Sequence, residues 1–410
     1  MRILFISNLY PPYDLGGMEQ ICQEVVEAMK ARGHVCHVLT SRYGVCGHSP
    51  SEEGVTRALH LQANVNYYRP LDFFTRRPWN EEANRRALRY RIDRFEPDIA
   101  FIWGMWNLSR SIAYWAEQWL PDKIAYNIQD YWPLEADIHE RYWSSPGKSR
   151  AAQLALRPFS ALALGTLAAQ RCRQPRLCHV SCCSRYVADL LTTAGVLRSG
   201  AVAILNGIDP TPFVANASQG RGQDGALKLL YFGGLMEHKG VHTAIQALGL
   251  LQQRGQACGL RLTLVGAGHP DYEAHLHDLV GSLSVEDKVH FAGRVPRTEI
   301  PTILPNFDIF LFTSIYPEPF GRTIIEAMAS GLAVIGADVG GSREVFKFYP
   351  EDMMFEPGNS EELAVQIQRL ANNPDLLQRL RQAGPDLVHE RFTLDRMVEE
   401  IDAWLQAVRR

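Results

Sequence analysis

Short apolar runs of strand length recur along both halves of this chain, and most of them stop at a glycine-bearing turn that opens into an amphipathic helix. In the first half, RILFISN at residues 2–8 gives way to a loop holding Pro11, Pro12, Gly16 and Gly17, and then to a helical pattern over residues 19–32. HVCHVLTS, DIAFIWG and KIAYNIQD follow as further strands. In the second half LKLLYFGG, RLTLVGAG, KVHFAGRV, DIFLFTS and LAVIGAD repeat the scheme, with helices such as residues 241–254 and 324–330 between them. Strands alternating with helices of about 10–15 residues predict parallel sheets covered on both faces. A chain of 410 residues accommodates two such domains. The predicted fold is therefore α/β, with two Rossmann-like doubly wound domains facing each other across a cleft. Residues 1–205 form the first and residues 206–392 the second, joined through residues 201–213, and the polar stretch 216–225 is expected to be a surface loop. In such sheets ligands bind beyond the carboxyl ends of the strands.

The two halves differ in charge. Residues 1–205 carry 24 Lys and Arg against 19 Asp and Glu, whereas residues 206–410 carry 18 against 26. Seven of the eight tryptophans also fall in the first half. That half is expected to meet the anionic or amphipathic partner. The cysteines show no CxxC pair and no zinc spacing, so they read as reduced core thiols. MRILFIS begins directly as a strand, with no cleavable apolar stretch before it. A cytoplasmic location is expected, at the inner face of the membrane if the protein docks there. The longest apolar run, residues 151–169, is interrupted by Arg157 and Pro158 and is too short to span a bilayer. It is expected to be a buried or interfacial helix.

The segment EPFGRTIIE carries the most chemistry. It places Glu318 and Glu326 around Phe320 and Gly321, between an apolar strand and a helix. The amides of Phe320, Gly321, Arg322 and Thr323 sit where a helix begins, and a helix N-terminus is a ready phosphate site. Glu326 lies about one turn inside, where a carboxylate can accept from two ribose hydroxyls. Glu318 lies on the loop, within reach of a second hydroxylated ring.

Other glycine turns stand beside it. GGxE at Gly16, Gly17 and Glu19 lets the backbone approach a ligand, although a plain tight turn explains it equally well. It is not the dinucleotide fingerprint, which needs GxGxxG directly after the first strand. FGGLMEHKG contributes Gly234 and Lys239, whose ammonium can meet a diphosphate as a point charge. VGAGHPD with Gly266, and FAGRVPR with Arg294 and Val295, supply two more strand-end turns that can read a base edge through the backbone.

These motifs together resemble the retaining glycosyltransferases of the GT-B fold known as family four, or glycosyl transferase group one. The resemblance runs from GGxE through NGID to VGGSREV, and the pair Glu318 and Glu326 is its most specific part. It implies that Glu326 holds the ribose and Glu318 a hydroxyl of the donor sugar. It implies further that Lys239 and the amides of residues 320–323 hold the diphosphate, that Gly16 and Gly17 close over the phosphate, and that the base lies along Arg294. The implied co-substrate is a uridine or guanosine diphosphate sugar, with no cofactor and no metal, since no Asp-x-Asp pair stands beside a strand. The acceptor is a sugar, a lipid-linked molecule or a small molecule. The resemblance also implies that the final helix, residues 393–410, packs back on the first domain, which suits its apolar face at Met397, Val398, Ile401, Trp404 and Leu405.

Three positions depart from the family pattern. Gly234 stands where the family usually has Arg, and a charge-assisted hydrogen bond contributes roughly 1.5–3 kcal/mol, or about ten- to a hundredfold in affinity. Arg322 and Arg294 are the candidate substitutes. Gln129, followed by Asp130, replaces the usual His-Asp pair, so it can orient a sugar hydroxyl but cannot share a proton. Trp103 replaces a histidine often found at an earlier strand end. Activity is expected nevertheless, with Glu318, Gln129, Asp130 and Lys239 as the catalytic set. A nucleotide-sugar epimerase on the same fold and a non-catalytic sugar-nucleotide-binding protein remain as alternatives.

The stretch 67–95 interleaves arginines with Phe73, Phe74 and Trp79. It fits peripheral docking on an anionic membrane. A solvated helix whose arginines pair with Glu81, Glu82 and Asp93 is the plainer alternative. Mild overall acidity and the lack of a recognition module argue against nucleic acid, and His238, His269, His275 and His277 read as surface residues.

Overall fold

Arg2–Ser7 (β1) is buried at every residue after Arg2, as a strand sandwiched on both faces must be. In this computed structural model, which describes residues 1–45, 53–147, 149–170, 173–197, 200–214 and 226–409, β1 is an inner strand of an all-parallel sheet. Its partners are β2 (Val35–Ser41), β3 (Val55–Leu59), β4 (Ile99–Gly104), β5 (Ile124–Ile128), β6 (Val180–Cys182) and β7 (Val202–Ala203), in the order β3-β2-β1-β4-β5-β6-β7. Ile3 lies opposite Cys36 on one side and Ile99 on the other. The chain divides into two compact units, and this sheet belongs to the first, Met1–Ile204 with Val398–Arg410.

Helices cover the sheet through apolar stripes. Gly17–Ala31 buries Ile21, Cys22, Val25, Val26 and Met29, the one-face spacing of a helix on a sheet. The closing helix, Leu394–Arg409, buries Val398, Ile401 and Leu405 completely. Its Trp404 ring lies 6.1 Å from Phe101 of β4, and its Asp402 stands 3.2 Å from His34.

The apolar run 151–169 forms the helix Arg150–Ala169, in which Ser160, Ala163 and Leu167 are the buried residues. Of the two expectations, a buried or an interfacial helix, the buried one does not hold, because most of its length faces outward. No helix among the described residues is long and apolar enough to cross a membrane. Cys22, Cys36, Cys182 and Cys183 are buried, whereas Cys178 and Cys258 are exposed and are not core thiols.

The second unit, Leu205–Met397, carries a six-stranded parallel sheet. It consists of β8 (Leu227–Phe232), β9 (Leu260–Val265), β10 (Val289–Gly293), β11 (Ile309–Phe312), β12 (Ala333–Ala337) and β13 (Met354–Phe355), in the order β10-β9-β8-β11-β12-β13. Both sheets thus have the doubly wound strand order, with the reversal beside the first strand of each. The stretch 216–225, expected to be a surface loop, lies outside the described residues.

The two ends of this unit are stitched together. Ile208 donates to Phe392 O at 2.9 Å and accepts from Leu394 N at 2.7 Å. A Cβ on Gly207 would stand 2.1 Å from Thr393 O, so only glycine permits the approach.

Candidate active site

The order of the second sheet reverses between β8 and β11, and the loops leaving these two strands are laced together. Gly240 has φ +62°, and a Cβ there would stand 2.1 Å from Thr313 O. Thr313 Oγ1 donates to Lys239 O at 2.9 Å. His238 O accepts from the amides of Ile315 and Tyr316 at 3.0 and 3.1 Å, and from Ser314 Oγ at 3.2 Å. This lacing sets Lys239 Nζ 2.6 Å from Glu318 Oε1, with Ser314 Oγ donating to the same oxygen at 2.7 Å. The side chains of Lys239 and Glu318 keep 32% and 12% of their surface exposed, so both can be reached from outside. Two of the four expected catalytic residues therefore meet at the switch point.

The backbone of Glu318 is held from a third loop. Gly341 N donates to Glu318 O at 2.8 Å, and a Cβ on Gly340, at φ +52°, would stand 2.3 Å from the same oxygen. Sequence reasoning did not single out Ser314, Gly340 or Gly341. The first lay in plain view at the end of DIFLFTS, and the glycines lay within VGGSREV.

Gly321, at φ +93°, turns the chain into the helix Arg322–Ala329, whose first turn has no side-chain cap. Gly321, Arg322 and Thr323 are partly exposed while Phe320 is buried, its ring 6.1 Å from Phe392. Uncapped amides at a partly open helix start suit an anion.

Glu326 departs from the expectation of a carboxylate open to ribose. Its side chain is 0% exposed. Arg297 Nη1 donates to Oε2 at 2.7 Å while Arg297 Nη2 takes Oε1. Arg322 Nε also donates to Oε1, at 2.8 Å. Arg297 lies in FAGRVPR, yet nothing in the spacing marked it. Arg322, expected as a substitute for the missing phosphate-loop arginine, is engaged with Glu326, whereas Arg294 is exposed and Val295 partly so.

The remaining glycines answer to packing. A Cβ on Gly266, at φ +148°, would stand 1.8 Å from Gly233 O. The Gly266 amide already donates to Gly293 O at 2.8 Å. Gly266 thus lets two strand-end loops touch, and its amide is not free to read a base. Tyr231 Oη donates to Gly234 O at 2.8 Å.

In the first unit Gly16 and Gly17 are exposed at the start of the helix Gly17–Ala31. Glu19 is buried just inside it. Loss of hydration pushes its carboxyl up to about 7, against the pull of hydrogen bonds from its own amide and that of Gly16, with Asp14 and Asp130 raising it further by repulsion. The Glu19 carboxylate thus draws on the Gly16 amide, and Gly16 has no side chain with which to cap in return. Gln129 is buried, and its Nε2 donates to Asn127 Oδ1 at 2.6 Å. Asp130 retains some accessible surface. Desolvation still carries its carboxyl up to about 6, with the Trp132 amide opposing and Glu135 adding to the rise. Trp103 is structural: its indole donates to Met18 O at 3.1 Å and its ring meets Phe101 edge-on at 5.6 Å.

In the stretch 67–95, Arg85 and Arg86 pair with Glu82 and Arg89 with Asp93. Glu81 instead accepts from Ser111. Phe73 and Phe74 pack with Trp143, Ala163 and Leu167. The solvated-helix alternative accounts for these arginines, the two phenylalanines belong to a hydrophobic cluster instead, and Trp79 is left 78% exposed.

Comparison with known proteins gives these features a setting. Along 98% of its length the chain is 23% identical to an uncharacterized glycosyltransferase of Methanocaldococcus jannaschii, of which 96% is covered. Along 96% it is 26% identical to the glycogen synthase of Mycobacterium tuberculosis, of which 91% is covered. The Anabaena protein Alr3699/HepE, crystallised with UDP and glucose, superposes with a TM-score of 0.69 at 22% identity, over 99% of this chain and all of that one. That likeness is one of fold, and the fold is GT-B. Two family models divide the chain between them: "Glycosyltransferase Family 4" matches residues 15–211 and "Glycosyl transferases group 1" matches residues 216–387. This chain is a glycosyltransferase and belongs to family 4.

Proposed function

We propose that the protein is a retaining, metal-independent glycosyltransferase that moves a sugar from a uridine or guanosine diphosphate sugar to an acceptor hydroxyl. The observation that carries the reading is the contact of Lys239 with Glu318 at 2.6 Å, beside the uncapped start of the helix Arg322–Ala329. Cationic and amide donors there face the place where charge develops on a departing diphosphate, and such stabilisation is commonly the largest contribution to rate. The Anabaena protein crystallised with UDP and glucose has the same fold.

In this reading the Lys239 ammonium leaves Glu318 for the diphosphate when donor binds. Glu318, steadied by Ser314, then accepts from a hydroxyl of the sugar. Glu326 takes the ribose hydroxyls as Arg297, whose side chain is 35% exposed, swings aside. The bond from the anomeric carbon to the diphosphate oxygen breaks, and the acceptor oxygen bonds to that carbon on the same face. The acceptor proton passes to the departing diphosphate oxygen, so no carboxylate attacks and the configuration is kept. Gln129 and Asp130 orient the hydroxylated partners, and Gly17 offers exposed backbone to phosphate.

Calorimetric titration with UDP, GDP, ADP and their sugars tests the donor, and an NMR measurement of product configuration with chelator present tests the rest. An inverted product, or turnover abolished by the chelator, would overturn the mechanism. Release of an altered sugar from donor alone would identify an epimerase instead.

A further inference from the structure

The loop beyond β3 and the helices Pro70–Thr75 and Arg77–Phe95 line an open cavity of about 280 Å³ in the first unit. Its lining begins at Leu61, two residues past the carboxyl end of β3, on the side where doubly wound sheets take ligands. Three guanidinium groups line it, Arg69, Arg76 and Arg77, against the single carboxylate of Asp72. Arg76 Nε lies 3.5 Å from Asp72, so that pair largely cancels and two cations are left over.

Both of these cations are held on aromatic rings. The Arg69 guanidinium lies 4.8 Å from the Tyr67 ring centre and donates to Tyr67 Oη at 2.9 Å. The Arg77 guanidinium lies 5.0 Å from the Phe73 ring and donates from one terminal nitrogen to Gln170. Its Nε is buried with no partner. Stacking fixes a guanidinium fork in advance, in the geometry that matches phosphate oxygens. Tyr68 closes the same wall, its hydroxyl 2.7 Å from His139 Nδ1 and its ring stacked on Tyr142 at 4.1 Å.

We infer that this cavity is an anion subsite for the acceptor, taking a phosphate ester on a group of monosaccharide size. The inference rests on the glycosyltransferase reading and names the acceptor class that reading leaves open. A cavity of this volume is small among ligand pockets, which suits one sugar ring with its phosphate. The phosphate can arrive on a soluble sugar or on a lipid headgroup. Leu71 and Trp79 beside the cavity are 75% and 78% exposed. The Phe74 ring meets Phe159 at 6.3 Å, on a helix whose Leu154 and Leu162 also face outward.

The test compares the full-length protein with the double variant Arg69→Gln, Arg77→Gln. Calorimetry with glucose 6-phosphate, with glucose as the neutral control, probes the soluble source. Flotation with phosphatidylcholine vesicles, with and without phosphatidic acid, probes the lipid source. We expect phosphate-dependent binding in one arm, weakened about ten- to a hundredfold in the variant. Donor binding by UDP- and GDP-sugars should be unchanged, which also reports that the variant is folded. Equal binding of phosphate by wild type and variant, or no phosphate dependence in either arm, overturns the inference. Failure of wild type to bind any nucleotide sugar would instead remove the reading beneath it, and the glucose 6-phosphate result would still decide whether the cavity is an anion site.

Discussion

Arg297 clamps the carboxylate of Glu326 with both terminal nitrogens, from 29 residues earlier in the chain. Since Glu326 is fully buried, this clamp is what permits a charge at that depth. Breaking a buried pair by removing one partner typically costs about 3–5 kcal/mol. Glu326→Ala strands two arginines and should lower the melting temperature by roughly 6–20 °C. Arg297→Ala should cost less, because Arg322 stays on the carboxylate and Arg297 is itself part-exposed. Calorimetric scanning of both variants measures the asymmetry, and equal losses would contradict it.

The contact of Lys239 with Glu318 predicts separable kinetic defects. Lys239→Ala should weaken donor affinity about ten- to a hundredfold, the worth of one charge-assisted bond to phosphate. Glu318→Gln should leave donor KM nearly unchanged and lower kcat, because it acts on the reacting ring. Steady-state kinetics at saturating acceptor separates the two. Identical effects on KM and kcat in both variants would argue against distinct roles.

Glu19 predicts a pH dependence of stability. Its carboxyl is raised from the ordinary 4.5 to about 7 in the folded chain. Between those values the folded protein holds a proton that the unfolded chain has released. The contribution is therefore whole below pH about 4.5 and is lost as pH rises through about 7. A loss of the order of 3 kcal/mol is expected across that window. Glu19→Gln should remove this part of the slope in denaturant unfolding measured from acid to mildly alkaline pH. An unaltered slope would show that Glu19 ionises normally.

Gly266→Ala should destabilise the second unit by at least about 1–3 kcal/mol, since a methyl would meet Gly233 O and a strained φ is added. Donor binding should fall with it, although Gly266 contributes no free amide. Unfolding midpoints together with UDP titration check both effects, and a neutral substitution would refute the packing account.

The central strands were legible because a parallel strand buried on both faces reads as a nearly continuous apolar run, as RILFIS and LKLLYF do with one cation each. β6, β7 and β13, with two or three residues each, have no room for a pattern, and β3 mixes Thr and Arg into VTRAL. The meeting of Lys239 with Glu318 was foreshadowed by glycine turns at two strand ends, since close loops need glycine. The Arg297 clamp left no trace, because an ion pair formed across folded loops has no period along the chain. That the Gly266 amide is taken by Gly293 O was not legible, because a glycine that admits a neighbouring backbone looks the same in one dimension as one that admits a ligand.

The stitching of Ile208 to residues 392–394 makes the second unit an insertion whose entry and exit lie side by side. A fragment of residues 205–397 would thus begin and end at one seam, with its sheet and the Lys239 and Glu318 loops intact. Nature could trade such a cassette between hosts without rethreading either partner. A different second unit can then be grafted onto the first through two adjacent splices.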